Sequence, residues 1–355
     1  MSDCDIEFVG LERNGQTRRF WCRKHFAKVH VNGAIPQSTC ERAHIGSILE
    51  SEVVRIDPIS YDGGVALWGA LPPAYNTSPE QEAYGVHLHA REAVGIDAVK
   101  TIDGTYQMVE VCVGQDLFGD RGELIDTETA TSYFATLTYG LQPKALSCSH
   151  CNRPHLDSGI FAIRPHRKHR CNFCGRDFFD DERGVGNPLM AVKDYFQDSE
   201  IERVVERSPE VLDISQSDFA GGIAIWASNP AAFWTQPKPE HSGIHVHGYD
   251  QNGKRDLDET IGSLTIDGVR IRRKSVRLLM AQKLIYEDLS VIHAVKCPYC
   301  NANHLDDGSD DWSPHEKHEC NECGEDFVSA VGKPVVANPI IEKIRLLQDS
   351  LEADK

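Results

Sequence analysis

Eight of the twelve cysteines fall in four Cys-x-x-Cys pairs. Cys148 and Cys151 precede Cys171 and Cys174, and Cys297 and Cys300 precede Cys320 and Cys323, with 19 residues between the pairs in each set. Two such knuckles place four thiolates at the corners of a tetrahedron, the closed geometry zinc takes with bonds of ~2.3 Å to sulfur. In a chain of 355 residues the pattern favours metal in a reducing compartment over a disulfide framework. Four thiolates leave no position for a substrate, so at least two zinc ions are expected per chain, both structural.

Residues 148 to 178 align without a gap on 297 to 327, and 17 of the 31 positions are identical. These two segments resemble zinc-ribbon modules. The resemblance covers only these segments and carries no particular activity with it.

Beyond the cysteines, each ribbon repeats a second set of metal-competent residues. His155 and Asp157 recur as His304 and Asp306, and the run Pro-His-x-Lys-His gives His166 and His169, then His315 and His318. Upstream, His87-x-His89 recurs as His245-x-His247. Ten of the sixteen histidines are therefore members of repeated pairs. Three readings compete. The histidines support the zinc sites by hydrogen bonds and packing; or a ribbon histidine replaces a cysteine as ligand; or His-x-His and a ribbon His or Asp form a second, catalytic metal site in each unit. Alternate strand residues share a face, so both imidazoles of a His-x-His can meet one ion. No catalytic residue is assigned.

The spacing of His245, His247 and Asp258 resembles the JAMM metallopeptidase motif. Arg255 stands at its serine position, however, and Lys100 where the first unit would need the aspartate. The cupin pattern lacks a second histidine motif. Neither family's activity is carried over.

Residues 1 to 50 have no counterpart later in the chain. Within them Cys22, His25, Cys40 and His44 could make a third zinc site, while Cys4 and Cys112 are expected to be free thiols.

The elements that must position these residues follow from the same repeat. Gly63-Gly64-Val65-Ala66-Leu67-Trp68 matches Gly221-Gly222-Ile223-Ala224-Ile225-Trp226 at a separation of 158, whereas the ribbons stand 149 apart. A duplication followed by loop change explains both separations. Short strands are expected at 65–68, 85–89, 109–113, 223–226, 244–249 and 263–266, with Asn252-Gly253 as a hairpin turn. Helices are expected at 128–140 and 275–286. Asn187-Pro188 and Asn338-Pro339 read as helix starts, with Ile340, Ile344, Leu347 and Leu351 on one face. The expected class is α+β: a tandem duplication of a small, mostly antiparallel β domain plus a zinc ribbon, each followed by a helix. The divisions are an extension at 1–50, β-rich domains at 51–147 and 207–296, ribbons at 148–186 and 297–337, and helices at 187–206 and 338–355.

The formal charge of −17 opposes general attraction to phosphate backbones. The charge is nevertheless uneven. Arg164, Arg167, Lys168, Arg170 and Arg176 face no acid between 164 and 176, while the second ribbon carries Glu316, Glu319, Glu322, Glu325 and Asp326. A nucleic acid could meet the basic ribbon, with Phe173 stacking on a base. A second basic cluster, Arg270, Arg272, Arg273, Lys274 and Arg277, could meet phosphate or the acidic ribbon. No apolar run long enough to span a membrane occurs, and a cytoplasmic location is expected. Neither a Walker loop nor a dinucleotide-binding Gly-x-Gly-x-x-Gly is present. The leading expectation is a zinc-binding adaptor for a protein partner. Its rivals are a metal-dependent hydrolase using His-x-His with ribbon His and Asp, and a nucleic-acid-binding module.

Overall fold

A computed structural model describes residues 6–11, 18–22, 27–29, 31–32, 35–36, 53–70, 75, 85–95, 97–112, 122–194, 211–228, 233–234, 243–286 and 288–345. Strands Ile6–Leu11, Arg18–Cys22 and Ala27–Val29 form an antiparallel sheet near the N-terminus. The expected third zinc site falls outside the described residues, apart from the backbone of Cys22.

The fold is α+β, with small and mainly antiparallel sheets and few helices. In the first unit β1 (Val53–Ile56), β2 (Val65–Ala70), β3 (Gly85–Val94), β4 (Asp97–Tyr106), β5 (Met108–Cys112) and β6 (Gly122–Asp126) lead into helix α1 (Thr127–Thr138). The second unit presents the same succession: β7 (Val211–Ile214), β8 (Gly222–Ser228), β9 (Gly243–Tyr249), β10 (Arg255–Ile261), β11 (Ser263–Ile266), β12 (Val269–Arg272) and helix α2 (Arg273–Ile285). β2-β3-β4 and β8-β9-β10 are antiparallel sheets. In each unit the chain continues from the third of these strands into a second sheet, where β5 runs parallel to β1 and antiparallel to β6, as β11 does to β7 and β12. The expected strands are thus present, and the turn at Asn252-Gly253 closes the β9–β10 hairpin with Gly253 at a φ of 74°.

The two-residue period of the strands divides their side chains cleanly. Val86 and Leu88 of β3 enter the first hydrophobic core with Val109, Ile125 and Tyr133. Ile244 and Val246 of β9 enter the second with Leu264, Ile271 and Leu279. His87, His89, His245 and His247 lie on the opposite faces, and those faces are buried too.

Both helices run along their sheets and pack on each other, with Ala135 and Ala281 meeting Ile163 in a shared apolar cluster. Helix α1 begins where Asp126 accepts from the Thr129 amide at 2.8 Å. It is rich in β-branched threonine, which the helix tolerates because Thr131, Thr136 and Thr138 return their hydroxyl protons to carbonyls one turn back. After each ribbon the chain re-enters its unit through a buried asparagine. Asn187 accepts from the Leu189 amide and donates to the Thr129 carbonyl; Asn338 accepts from Ile340 and donates to Ser275. Ile340 and Ile344 are buried in the second core, and Leu347 and Leu351 lie outside the described residues.

Among the described residues no helix is long and apolar enough to cross a membrane.

Candidate metal centres

Each ribbon is two short hairpins. In the first, Leu146–Ser147 pairs with Pro154–His155 and His166–Arg170 with Asp177–Gly184; in the second, Val295–Lys296 pairs with Asn303–His304 and Lys317–Glu319 with Asp326–Val328. The residue after every Cys-x-x-Cys has a positive φ: Asn152, Gly175, Asn301 and Gly324. That left-handed turn suits glycine and asparagine. It folds each knuckle so that both sulfurs point inward. Cys148 and Cys174 stand 3.7 Å apart, as do Cys151 and Cys171. Cys297 and Cys323 are 3.7 Å apart, and Cys300 and Cys320 3.6 Å. A tetrahedral ion with ~2.3 Å bonds to sulfur separates its thiolates by about 3.8 Å. Both clusters could therefore hold zinc, and each consists of four cysteines with no histidine among them.

The strand histidines gather elsewhere. The expected union of His-x-His with a ribbon His or Asp is not what the structure brings together: the strand histidines of the two units face one another, and the ribbon histidines surround their own aspartates. The reason is topological. The sheet face bearing His87 and His89 is turned toward the other unit, so its neighbours are Trp226, His245 and His247.

In this inter-unit cluster, His87 Nε2 lies 3.0 Å from His89 Nε2, and His245 Nε2 lies 3.0 Å from His247 Nε2. The opposite ring nitrogens are held outward. His87 Nδ1 bonds Thr105 Oγ1 at 3.0 Å, His245 Nδ1 bonds Thr260 Oγ1 at 2.9 Å, and His247 Nδ1 bonds the Tyr249 hydroxyl at 3.1 Å. Two aspartates from the neighbouring strands complete it. Asp103 Oδ1 is 3.0 Å from His89 Nε2, and Asp258 Oδ1 is 3.3 Å from His247 Nε2. Their other oxygens are tied across the units: Lys100 donates to Asp258 at 2.9 Å and Arg255 to Asp103 at 3.0 Å. Trp68 and Trp226 close the flanks by stacking on His245 and His87.

Burial, reinforced by the other imidazoles, holds His87 and His245 well below the ordinary imidazole range. They therefore present neutral nitrogens, the form that binds metal. Burial pushes Asp103 and Asp258 up, but hydrogen bonds from His89 and His247, with the Lys100 and Arg255 charges, outweigh it and keep both carboxyls ionised.

At the repeat separation of 158, Lys100 stands where the second unit has Asp258, and the first unit is expected to lack the aspartate. The pairing corrects this: His89 sits opposite Asp103 as His247 sits opposite Asp258. The β3–β4 hairpin is three residues longer than β9–β10, so the separation of 158 that holds for the histidines falls to 155 beyond the turn. At that separation Lys100, Asp103 and Thr105 match Arg255, Asp258 and Thr260. The shared pattern, a cation, then Asp three later and Thr two after that, was the available signal.

The ribbon histidines form the remaining clusters. Asp157 Oδ1 is 2.7 Å from His155 Nε2, 3.3 Å from His166 Nε2 and 3.4 Å from His169 Nδ1. Asp306 Oδ1 is 2.8 Å from His304 Nε2, 3.4 Å from His315 Nε2 and 3.0 Å from His318 Nδ1.

The charged patches are partly absorbed internally. Arg272 pairs with Glu322 at 2.8 Å and Lys274 with Asp307 at 2.6 Å, so the second basic cluster meets the acidic ribbon. Lys168 pairs with Asp177, and Arg164 and Arg167 are exposed, with Arg170 half-buried. Phe173, expected to stack on a base, has the Arg153 guanidinium over its ring at 3.9 Å.

Fold and clusters together describe an α+β protein with several groups of side chains that could hold a metal ion. No protein-family model, curated protein or solved structure matches the chain.

Proposed function

We propose that this chain is a metal-dependent hydrolase whose catalytic centre lies between the two units, with the ribbon zinc ions serving as structure. The observation that carries the reading is the convergence of His87, His89 and Asp103 with His245, His247 and Asp258. Each unit supplies two imidazoles and one carboxylate, so an octahedral ion held by the four imidazoles and one of the two carboxylates keeps one position for water. Separations of 3.0 Å between neighbouring donor nitrogens match adjacent corners of an octahedron with ~2.1 Å bonds, whereas a tetrahedron spreads them to about 3.4 Å. A divalent ion of octahedral habit held by these residues would supply Lewis acidity and activate water for attack. Thr105 and Thr260 orient the rings. Lys100 and Arg255 fix the carboxylates and put positive charge at the more open side, which suits an anionic substrate.

The test is water-proton relaxation of the full chain loaded with Mn2+. An exchanging inner-sphere water that disappears in His87→Asn/His245→Asn supports a catalytic centre. Stoichiometric Mn2+ with no exchanging water would make the centre structural and sink the hydrolase reading.

A second reading, a zinc-stabilised adaptor for a protein partner, is favoured by the opposed charges of two otherwise similar ribbons. The exposed Arg164 and Arg167 of the first then select an acidic partner surface. Charge reversal at both that left capture of an acidic partner unchanged would remove its basis.

A further inference from the structure

We propose that each ribbon holds a second zinc ion, bound by His155, Asp157, His166 and His169 in the first and by His304, Asp306, His315 and His318 in the second. The inference is independent of the hydrolase reading, because it concerns residues with no part in the inter-unit centre.

The decisive geometry is at His166 and His315. His166 Nδ1 bonds the Arg164 carbonyl at 2.8 Å, and His315 Nδ1 bonds the Ser313 carbonyl at 2.8 Å. A carbonyl only accepts, so each Nδ1 carries a proton and each Nε2 is the atom turned toward the carboxylate. Those nitrogens lie 3.3 Å from Asp157 Oδ1 and 3.4 Å from Asp306 Oδ1, longer than the ~2.7–2.9 Å of a charge-assisted hydrogen bond. The spacing is that of two ligands on one cation. Ligands about 2.0 Å from a tetrahedral ion are separated by about 3.3 Å. An outer ring N–H donated to a backbone carbonyl is also the usual way a ligating imidazole is aimed at its metal.

The carboxylate is fixed from behind in both copies. Gly186 donates its amide to Asp157 Oδ2 at 2.7 Å, and the Ala337 amide donates to Asp306 Oδ2. The Oδ1 atoms are left to face three imidazoles each. His155, Asp157 and His169 are all at least 95% buried, as are His304, Asp306 and His318, and Phe178 and Phe327 wall the sites by packing against their rings. Asp157 and Asp306 also bond the strand that returns to the parent unit, so an ion here clamps the ribbon to its body as well as its two hairpins to each other.

The experiment is a zinc count of the intact chain by native mass spectrometry, with thermal unfolding to check folding. His166 and His315 are the partly exposed ligands, so His166→Asn/His315→Asn is the variant least disruptive to packing. It is expected to carry two fewer zinc ions than the parent while keeping the ions that His87→Asn/His245→Asn removes. A folded variant with the parent's full count would overturn the proposal. Should that variant not fold, zinc-edge X-ray absorption of the His87→Asn/His245→Asn chain decides. Equal numbers of sulfur and nitrogen or oxygen ligands per zinc on average are expected; a shell of sulfur alone would refute the second sites.

Discussion

Trp68 of the first unit lies flat on His245 of the second, with ring centroids 5.4 Å apart and planes 4° from parallel, and Trp226 covers His87 at 4.9 Å and 17°. Each unit therefore lays its own tryptophan on its partner's histidine. Replacing either tryptophan by alanine is expected to destabilise the chain by about 3–5 kcal/mol and to loosen metal at the inter-unit centre. Phenylalanine should restore most of the metal affinity. Thermal unfolding with metal analysis at each step checks both parts, and an unchanged affinity in the alanine variants would contradict the shared centre.

The near two-fold arrangement makes a prediction about coupling. If His87 and His245 serve one centre, His87→Asn and His245→Asn should each abolish its metal, and the double variant should lose no more than either single one. Two separate sites would instead give additive losses in the metal count.

The ribbons should release zinc at different rates. Cys300 and Cys323 are exposed, whereas Cys151 and Cys174 are partly covered. Mercurial titration should empty the second ribbon first, with alkylation at Cys300 and Cys323 preceding that at Cys151 and Cys174 by mass spectrometry. Simultaneous release would show that local access does not limit attack.

Asp311 carries a pH signature. Burial, with Asp307 and Asp306 nearby, pushes its carboxyl up to about 7 despite Lys274, and its Oδ1 is buried without a hydrogen-bond partner. A carboxyl that resists ionising in the fold favours the folded state most at low pH. That contribution is lost as pH rises from its unfolded value near 4 to about 7. Asp311→Asn should therefore be more stable than the parent by about 1–3 kcal/mol at pH 8, with the gap shrinking toward pH 5 in urea unfolding. A gap independent of pH would remove Asp311 as its source.

Much of this was legible in the sequence because it is local. The cysteine knuckles are set by spacing and by the turn residues Asn152, Gly175, Asn301 and Gly324. The alternation of Val86, Leu88, Ile244 and Val246 with the histidines marks strands with two buried faces. What the second face met was not legible. His87 touches Trp226 and His245 because the histidine-bearing sheet faces of the two units meet, a contact between residues far apart in sequence that no periodicity encodes. Asp103 was hidden by three extra residues in one hairpin, which broke the separation used to align the units. The ribbon histidines were visible, but their common focus on Asp157 and Asp306 depends on how the second hairpin folds over the first.

The most direct test of the central claim is anomalous diffraction from crystals of the intact, metal-loaded chain, recorded on both sides of the bound metal's absorption edge. A peak among His87, His89, His245 and His247, bonded to Asp103 or Asp258, is the predicted result. Peaks at the ribbons with none between the two units would contradict it.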